Sequence, residues 1–299
     1  MKLTPLGLGG APLAGLFAAV SPDQAAATIG RSLEQGLRYI DTAPHYGAGL
    51  SESRLGSALR GVPRSSYVIS TKVGRLLEPA AAPEPAGFVV NEPPLGRRFD
   101  FSRDGILRSL ESSLSRLGLD RVDIVYLHDP DDHEASACAT GFPTLAELRD
   151  QGVVGAIGAG MMQSAMLSRF VDRFDLDLVL CAGRYTLLDR SALSDLLPAC
   201  VRRGTSVVIG GVYNSGLLTG TSTTYDYGPA SPSLLQRTEE LSRRCASYGV
   251  PLRAAALQFP FRHPAVASVL VGCRSPAEVD DNVAMLNQPV PDALWEELA

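Results

Sequence analysis

The sequence predicts an α/β fold of the (β/α)8 kind, the TIM barrel, in which eight parallel strands close into a cylinder with helices outside. Short apolar runs alternate with longer amphipathic segments about eight times along the chain, a pattern typical of parallel strands joined by helical crossovers. The chain has 299 residues, of which 45% are hydrophobic, enough for the core of one such barrel. We therefore expect a single barrel domain over residues 1–299.

Eight short apolar runs are the predicted strands, since each has the length of a buried strand rather than of a helix. They are residues 6–8, 37–41, 67–72, 122–128, 153–159, 178–181, 206–209 and 266–271. A stretch rich in proline and alanine, 78–94, lies between the third strand and the helix that follows it. We interpret it as part of a loop inserted at about 74–101.

Amphipathic segments between the strands predict the helices. Ser21 can cap the first helix, Pro22 suits its first turn and Gly36 can close it, while Asp23 suits the positive helix end. In the third helix the apolar residues recur with a period close to 3.6. The predicted helices begin at Ser21 and Leu50 and continue at 102–118, 141–151, 163–173, 190–203, 233–248 and 276–286, with a short additional helix at 252–261.

A doubly wound open sheet would also alternate strands and helices. Such a sheet normally carries a G-x-G-x-x-G turn directly after its first strand, with an acidic residue about 20 positions later. Residues 6–10 read LGLGG, which matches that pattern only loosely, and no helix begins at once. The barrel is therefore the favoured interpretation.

The charge balance argues against several classes of partner. With a formal net charge of −5 and a pI near 5.4, the chain has no basic field for nucleic acid or for an anionic membrane surface. No apolar stretch reaches the roughly 20 residues that a membrane helix needs. The composition favours a protein that acts on a small-molecule substrate, and it does not predict an oligomeric state.

The N-terminus and the cysteines indicate a cytoplasmic protein. The first residues are apolar, but Lys2 is their only charge, and glycines and prolines interrupt the run, unlike a secretory signal peptide. The five cysteines form no C-x-x-C pair and have no metal-ligand spacing with the four histidines. We expect reduced cysteines that serve packing, and no metal site.

Four polar residues predict the position of an active site. Asp41 follows the apolar run LRYI, Lys72 follows YVIST and His128 follows DIVYL. Tyr46 lies a loop's length beyond Asp41. Residues that follow consecutive strands of a parallel barrel converge on one rim, where the catalytic groups of such folds gather. We expect these four side chains to meet there as an acid–base site.

The chemistry of the four side chains suits proton transfer. A phenol, with an ordinary pKa near 10, is a poor proton acceptor at neutral pH unless a nearby cation favours the phenolate. Lys72 can be that cation, and Asp41 can keep the ammonium charged and in place. A neutral His128 can hydrogen-bond a substrate oxygen beside Tyr46. A hydride transfer would need a nicotinamide, because no side chain supplies a hydride.

The segment DTAPHYG at 41–47, followed by SESRLG at 51–56, resembles the signature of the aldo-keto reductases. Ser70-Thr71-Lys72 and Leu127-His128 resemble the other two parts of that family's Asp, Tyr, Lys, His tetrad, in the same order. The similarity extends over nearly the whole chain. It implies the (β/α)8 fold and an oxidoreductase whose catalytic residues are Asp41, Tyr46, Lys72 and His128, with Tyr46 as acid and base.

Within that family, the stretches STKVGRLL, AGRYTLLD and YNSGLLTG are most similar to sugar dehydrogenases. The resemblance implies NAD-dependent oxidation of the anomeric carbon of an aldose, such as L-fucose or another D-threo-aldose, to a lactone. The alternative is oxidation of pyridoxal to 4-pyridoxolactone, because pyridoxal also closes to a hemiacetal. A general carbonyl reductase and a cofactor-sensing subunit without a metabolic role remain as further alternatives.

The resemblance also implies a set of cofactor contacts. Tyr185 resembles an aromatic residue that stacks on the nicotinamide, the loop at 213–218 resembles one that wraps the pyrophosphate with backbone amides, and 272–282 resembles the adenosine-binding segment. The implied contacts are Gly10, Ala11, Asp41, Met162, Gln163, Tyr185, Tyr213, Asn214, Ser215, Gly216, Leu218, Gly272, Arg274, Glu278 and Asn282.

Two positions in the adenosine-binding segment predict NAD over NADP. Relatives that prefer NADP usually carry Lys at the place of Gly272 and Arg at the place of Glu278. A carboxylate at Glu278 would repel a 2′-phosphate and could accept a hydrogen bond from a ribose hydroxyl. Arg274 is the one residue that could reverse this preference.

Met162 stands where many relatives have an Asn that holds the nicotinamide carboxamide, and a thioether is only a weak acceptor. Either Gln163 substitutes for that Asn, or the carboxamide is held less firmly, or catalysis is impaired. Substrate specificity is expected in rim loops at 74–101, 128–141 and 222–231. His45, Arg75 and Tyr225 are candidates to bond sugar hydroxyls.

Overall fold

Eight parallel strands close into the predicted barrel in this computed structural model, which describes residues 1–81, 87–89 and 94–298. The strands of the described residues are β1 Leu6–Gly9, β2 Tyr39–Asp41, β3 Val68–Val73, β4 Arg75–Pro79, β5 Leu95–Phe99, β6 Ile124–His128, β7 Ala156–Met161, β8 Leu178–Ala182, β9 Ser206–Gly210, β10 Thr224–Tyr225, β11 Gly228–Pro229 and β12 Val266–Gly272. The barrel order is β1-β12-β9-β8-β7-β6-β3-β2, and β2 pairs back onto β1. The eight predicted barrel strands are confirmed, with ends that differ by at most three residues.

Helices connect the barrel strands. They are α1 Pro22–Glu34, α2 Leu50–Ala58, α3 Arg103–Leu117, α4 Glu134–Ser136, α5 Phe142–Asp150, α6 Ser164–Arg173, α7 Leu196–Arg203, α8 Pro232–Ser247, α9 Leu252–Gln258, α10 Pro276–Asn287 and α11 Asp292–Leu298. The Ser21 side chain caps α1 by accepting from the amide of Gln24, as its sequence predicts. The helix predicted at 190–203 is instead a 3-10 turn at Ser191–Leu193 followed by α7. Asp195 interrupts it with non-helical backbone angles and a side chain that caps Leu196.

Two hairpins and α11 are absent from the sequence prediction. Strands β4 and β5 pair antiparallel inside the region that we expected to be a loop throughout, and β10 pairs with β11 in the same way. Their sequences, RLLEP and LGRRF in the first pair, mix charged and apolar residues and so lack the apolar runs by which the barrel strands were found. Most of the low-complexity part of the inserted region, 82–86 and 90–93, lies outside the described residues.

The barrel interior is a closed core of its own. It is filled by buried side chains that point inward from the strands: Tyr39, Ile124, Tyr126, Ala156, Leu178, Leu180, Val208 and Leu270. A larger apolar core lies between the strands and the helices. All five cysteines are free and buried. Among the residues described, no helix has the length and apolar character needed to cross a membrane.

Helix α2, which follows the loop that carries Tyr46, packs tightly against α3. Gly56 of α2 lies directly on the last turn of α3, and a β-carbon at that position would collide with the backbone carbonyl of Leu117. Gly30 of α1 is a helical glycine as well, but it is exposed, and a β-carbon there would meet no atom within 4 Å. Both glycines therefore lie within helices, and they differ in that only Gly56 is closely packed.

We expect Gly56→Ala to lower the free energy of unfolding by about 1–3 kcal/mol, because the added methyl group overpacks a contact with backbone atoms that cannot rotate away. Gly30→Ala, the matched control, should raise it by about 0.5–1 kcal/mol through its better helix propensity. Denaturant unfolding of both variants measures this. Stabilisation by both substitutions would contradict the packing argument.

Candidate active site

The four residues of the predicted tetrad lie together at the carboxyl ends of three neighbouring strands. Asp41 is the last residue of β2, Lys72 lies next to the end of β3, and His128 is the last residue of β6. Since β2, β3 and β6 are adjacent and parallel, their ends form one part of the rim. Tyr46 reaches this point from the loop between β2 and α2.

The loop that presents Tyr46 has an unusual backbone. Residues Gly47, Ala48 and Gly49 all have left-handed backbone angles, with φ of 59°, 49° and 88°. This turn brings the chain into α2, where the amide of Ser51 donates to the carbonyl of Tyr46 at 3.2 Å. The hydrogen-bonded start of the helix therefore fixes the backbone of Tyr46.

Lys72 is the centre of the site. Its ammonium donates to Asp41 Oδ2 at 2.6 Å, to the carbonyl of Thr42 at 3.0 Å and to Tyr46 Oη at 2.9 Å. An ammonium has three protons, so these acceptors use all of them. The phenol oxygen of Tyr46 thus accepts from Lys72, which leaves the phenol proton for another partner. The side chain of Lys72 is only 2% exposed.

The protonation states follow from burial and from this ion pair. Burial by itself lowers the pKa of Lys72, but Asp41 and Tyr46 outweigh it and raise the pKa of the ammonium above its ordinary value. Burial raises the pKa of Tyr46 to about 12, although Lys72 opposes that shift. The sequence predicted Lys72 as the cation that favours the phenolate, and its charge does act in that direction, against the larger effect of burial. The net result is a phenol that keeps its proton at neutral pH.

His128 is neutral, as its sequence position suggested. Burial lowers the pKa of its imidazole well below the ordinary value, and the charges of Arg75 and Lys72 lower it further. Its Nε2 lies 3.6 Å from Asp129, while its Nδ1 is buried and has no hydrogen-bond partner among the described residues. A neutral imidazole has one donor and one acceptor, so His128 can bond a substrate oxygen.

Aromatic rings surround the phenol of Tyr46. The rings of His128 and His45 have centroids 6.0 and 6.3 Å from that of Tyr46, and Phe88 lies 6.3 Å from it. Burial lowers the pKa of His45 to about 3, so it is neutral too. Phe88 comes from the inserted region, and nothing in its low-complexity sequence distinguished it. Arg75 forms an ion pair with Asp129 beside these rings.

The implied cofactor segments after β9 and β12 meet in the structure. The hydroxyl of Tyr213 donates to Asn282 Oδ1 at 2.7 Å and so joins the two segments. Asn214, Ser215 and Gly216 have left-handed backbone angles, with φ of 47°, 57° and 91°. Several amides of this loop already donate within it, since those of Gly216 and Leu218 both bond the carbonyl of Tyr213. The loop is therefore held in shape by its own backbone hydrogen bonds.

Close packing explains two of the implied glycines. A β-carbon at Gly10 would come within 2.6 Å of Ser51 Oγ and 2.8 Å of the carbonyl of Asp41. At Gly272 it would approach Pro12 Cγ to 2.6 Å. Gly10 and its neighbour Ala11 follow β1 at the same rim, and the chain is packed too closely there for a side chain at Gly10 or Gly272.

Arg274 and Glu278 bind each other at the start of α10. The carboxylate of Glu278 accepts from the Arg274 backbone amide at 2.8 Å and from its guanidinium at 2.8 and 3.1 Å. Ser275 caps the same helix by accepting from the amide of Glu278. The positive charge that could have favoured a phosphate is therefore neutralised within the segment.

Other implied contacts are already engaged with protein groups. The ring of Tyr185 is 4% exposed and packs on Phe259, with a centroid distance of 5.0 Å, and its stacking on the nicotinamide stays a prediction. Gln163 donates its amide to Asp131 at 2.5 Å, beside Met162. The hydroxyl of Tyr225 lies 3.2 Å from Asp189 and is taken up by this contact.

The remaining groups fit a nicotinamide dinucleotide. Asn214 is buried, and its Oδ1 has no hydrogen-bond partner among the described residues, so it offers an acceptor to a bound group. The loop of Asn214 and Ser215 on one side and the segment of Arg274 and Asn282 on the other would hold the cofactor. A bound nicotinamide would accept or donate the hydride, chemistry that side chains do not supply.

Fold and site together define a barrel oxidoreductase that works with a nicotinamide cofactor. The chain belongs to the aldo/keto reductase family, whose model matches residues 5–299. It is 43% identical to D-threo-aldose 1-dehydrogenase from Pseudomonas sp, over 100% of this chain and 94% of that protein. It is 40% identical to pyridoxal 4-dehydrogenase from Microbacterium luteolum, with the same coverage of 100% and 94%.

Solved structures agree with this assignment of the fold. The holo form of an aldo-keto reductase from Bacillus halodurans superposes with a TM-score of 0.79 at 26% identity, over 99% of this chain and 92% of that one. The chain is thus an oxidoreductase of this family, as the tetrad of the sequence indicated.

The pKa of Tyr46 predicts opposite pH dependences for the two reaction directions. The raised pKa keeps the phenol protonated at neutral pH, so it can give a proton to a carbonyl, whereas it must first lose its own proton before it can take one from an alcohol. We expect kcat/KM for alcohol oxidation to rise with pH, by roughly tenfold per unit where this ionisation limits it. Carbonyl reduction should not show this rise. Initial rates in both directions across the pH range test it, and an oxidation rate that is flat from neutral to alkaline pH would contradict it.

Proposed function

We propose that the protein is an NAD-dependent sugar dehydrogenase that oxidises the anomeric hemiacetal carbon of an aldose, such as L-fucose or another D-threo-aldose, to a lactone. The observation that carries the proposal is the contact of Tyr46 Oη with Lys72 Nζ at 2.9 Å, with Lys72 held by Asp41 at 2.6 Å. The similarity to D-threo-aldose 1-dehydrogenase over the full chain supports this substrate class.

In the proposed reaction Tyr46 takes the proton of the hemiacetal hydroxyl as the carbonyl of the lactone forms. Lys72 stabilises the phenolate that this step needs, and Asp41 keeps the lysine charged and in place. His128, which is neutral, hydrogen-bonds the same substrate oxygen and orients it toward Tyr46. A bound nicotinamide would take up the hydride of the anomeric carbon, so that each sugar oxidised would give one lactone and release one proton.

The groups around Tyr46 suit the other hydroxyls of a sugar. Arg75 is a fixed donor, since Asp129 holds its guanidinium and its side chain is 14% exposed. His45 is neutral, and its Nδ1 is buried with no hydrogen-bond partner among the described residues. We propose Arg75 and His45 as contacts of the sugar hydroxyls, with Phe88 against its apolar face.

A second candidate is oxidation of pyridoxal to 4-pyridoxolactone. Two observations favour it: the 40% identity to pyridoxal 4-dehydrogenase, and the rings of His45 and Phe88, 5.9 Å apart, beside Tyr46. A flat pyridine ring stacks well against aromatic side chains. The proton chemistry at Tyr46 would be the same, because pyridoxal also reacts as a cyclic hemiacetal.

A panel of L-fucose, D-arabinose, L-xylose, D-galactose and pyridoxal with NAD, followed by the absorbance of the reduced nicotinamide, tests the proposal. We expect oxidation of one or more of the aldoses and a loss of roughly 100-fold to 10,000-fold in kcat for Tyr46→Phe, which removes the acid–base group. Tyr248→Phe, which removes a surface hydroxyl bound to Glu297, is the control and should be fully active.

Pyridoxal as the only good substrate would replace the first proposal by the second. No oxidation of any compound, or full activity of Tyr46→Phe, would reject both. Measurements at alkaline pH make the assay most sensitive, because the pKa of Tyr46 is raised to about 12.

We infer that the cofactor is NAD rather than NADP. A 2′-phosphate near the start of α10 would have to compete with Glu278 for the guanidinium of Arg274, and it would be repelled by the carboxylate. Gly272 adds no charge, and a larger residue there would collide with Pro12. A ribose hydroxyl, in contrast, can donate to the Glu278 carboxylate while the ion pair stays intact.

Wild-type protein is expected to use NAD with a higher kcat/KM than NADP. Glu278→Gln should raise kcat/KM for NADP by roughly fivefold to tenfold, a modest gain because the pair is partly exposed, and should leave that for NAD much less changed. The gain should vanish in Glu278→Gln combined with Arg274→Ala, since the freed guanidinium is its cause. Initial rates with both cofactors measure this; a wild-type preference for NADP would reject the argument.

A further inference from the structure

A layer of three hydroxyl groups lies directly beneath the tetrad, inside the barrel. Each belongs to the residue two positions before a member of the tetrad on the same strand: Tyr39 before Asp41, Ser70 before Lys72, and Tyr126 before His128. Residues two apart on a strand share a face, so the hydroxyl layer and the tetrad both face the barrel interior. All three hydroxyl-bearing residues are fully buried.

The three hydroxyls form a continuous chain that ends on Asp41. Tyr126 Oη lies 3.0 Å from Tyr39 Oη, and Tyr39 Oη lies 3.1 Å from Ser70 Oγ. Ser70 Oγ donates to Asp41 Oδ1 at 2.7 Å. Strand register explains the last contact, because Ser70 is the residue paired with Asp41 between β3 and β2.

The direction of every hydrogen bond in this chain is determined. The Asp41 carboxylate accepts from Lys72 at Oδ2 and can only accept at Oδ1, so the single hydroxyl proton of Ser70 must be donated to Asp41. Ser70 therefore accepts a hydrogen bond from Tyr39. Because Tyr39 donates its only hydroxyl proton to Ser70, it accepts from Tyr126. Burial raises the pKa of both phenols, so they stay protonated donors. Hydrogen bonds aligned in one direction polarise one another, and here all of them favour negative charge on Asp41.

Small residues on the neighbouring strands make room for this chain. A β-carbon at Gly7 would come within 2.9 Å of the Tyr39 ring, and one at Gly158 would lie 3.2 Å from the Tyr126 ring and would also collide with the carbonyl of Leu178. The two phenols therefore take interior volume that side chains of Gly7 and Gly158 would otherwise fill. Polar groups in a barrel core are costly unless they are hydrogen-bonded, and these are bonded to one another.

We propose that Ser70 is a positioning residue, which orients the Asp41 carboxylate through a one-way chain of buried donors that starts at Tyr126 and passes through Tyr39. This inference rests on the proposed role of Tyr46 as acid and base. The hydrogen bond from the Ser70 hydroxyl stabilises the negative charge on Asp41 Oδ1 and keeps Oδ2 oriented toward Lys72. Without it, Asp41 presents a stronger and less fixed negative charge to the phenol, and the Tyr46 phenolate becomes harder to form.

The test compares the pH dependence of oxidation in four variants of the full-length protein, with NAD and the aldose that the panel shows to be oxidised best. In Ser70→Ala, kcat/KM for oxidation should fall by roughly threefold to tenfold at a given pH, and its alkaline rise should move to higher pH. The KM values for sugar and NAD should change little. Ser70→Thr, which keeps the hydroxyl, should restore the wild-type profile, and Tyr126→Phe should give a smaller shift in the same direction.

Ser268→Ala is the matched structural control. Ser268 is a fully buried serine of barrel strand β12. Its hydroxyl donates to the backbone carbonyl of Thr4 and takes no part in the hydrogen bonds that join Tyr126, Tyr39, Ser70 and Asp41. We expect it to lower the stability in denaturant unfolding without moving the pH profile. The inference is wrong if the profile of Ser70→Ala superposes on that of the wild type, or if Ser268→Ala shifts it equally. Full activity of Tyr46→Phe would instead reject the proposed function, and the two failures are thus distinguishable.

Discussion

The buried ion pair of Lys72 and Asp41 is the interaction on which the rest of the site depends. The two side chains are 2% and 4% exposed, and removing two charges from water is costly unless all their remaining hydrogen-bonding groups are satisfied. Here they are satisfied: Lys72 has acceptors in Asp41, Thr42 and Tyr46, and the second oxygen of Asp41 has a donor in Ser70. Tyr46 therefore supplies one of the hydrogen bonds that offset the cost of burying the charge of Lys72.

The strand that carries Lys72 is held from both of its faces. Inside the barrel, Lys72 binds Asp41 on β2, whereas Thr71, the next residue along β3, faces the helices. There its hydroxyl donates at 2.7 Å to Glu52, a carboxylate with no exposed surface, which also accepts from Arg116 at 2.6 Å. The ion pair of Lys72 with Asp41 and the hydrogen bond from Thr71 to Glu52 thus define the register of β3, since a slip of one residue would exchange its faces and break both contacts.

The sequence sufficed to predict the barrel and the position of the tetrad, because both follow from local patterns. Apolar runs of strand length separated by amphipathic segments predict the parallel barrel, and Asp41, Lys72 and His128 are visible as polar residues where such runs end. Their convergence is a consequence of parallel strands. The hairpin of β4 and β5 escaped prediction because its strands have one face toward solvent and mix charged with apolar residues.

Other features depend on contacts that a linear pattern does not contain. Tyr39, Ser70 and Tyr126 lie inside apolar runs and read as ordinary core residues; only the barrel register shows that their hydroxyls meet. The packing of Tyr185 depends on Phe259, 74 positions later in the sequence. The pKa of Tyr46 could not be predicted either, because the sign of its shift is a balance between burial and the charge of Lys72, and burial prevails.

That balance bears on the kind of alcohol the site can oxidise. The raised pKa makes the phenolate of Tyr46 a minor species at neutral pH but a stronger base, and proton transfer to it is easiest from a hydroxyl of comparable acidity. The hydroxyl of a hemiacetal is more acidic than that of a simple alcohol, because the second oxygen on the same carbon withdraws electrons. Proton transfer to the Tyr46 phenolate therefore costs less free energy from an anomeric hydroxyl than from the other hydroxyls of a sugar. In this way the raised pKa of one buried phenol supports the proposed position of oxidation, C1 of the cyclic sugar.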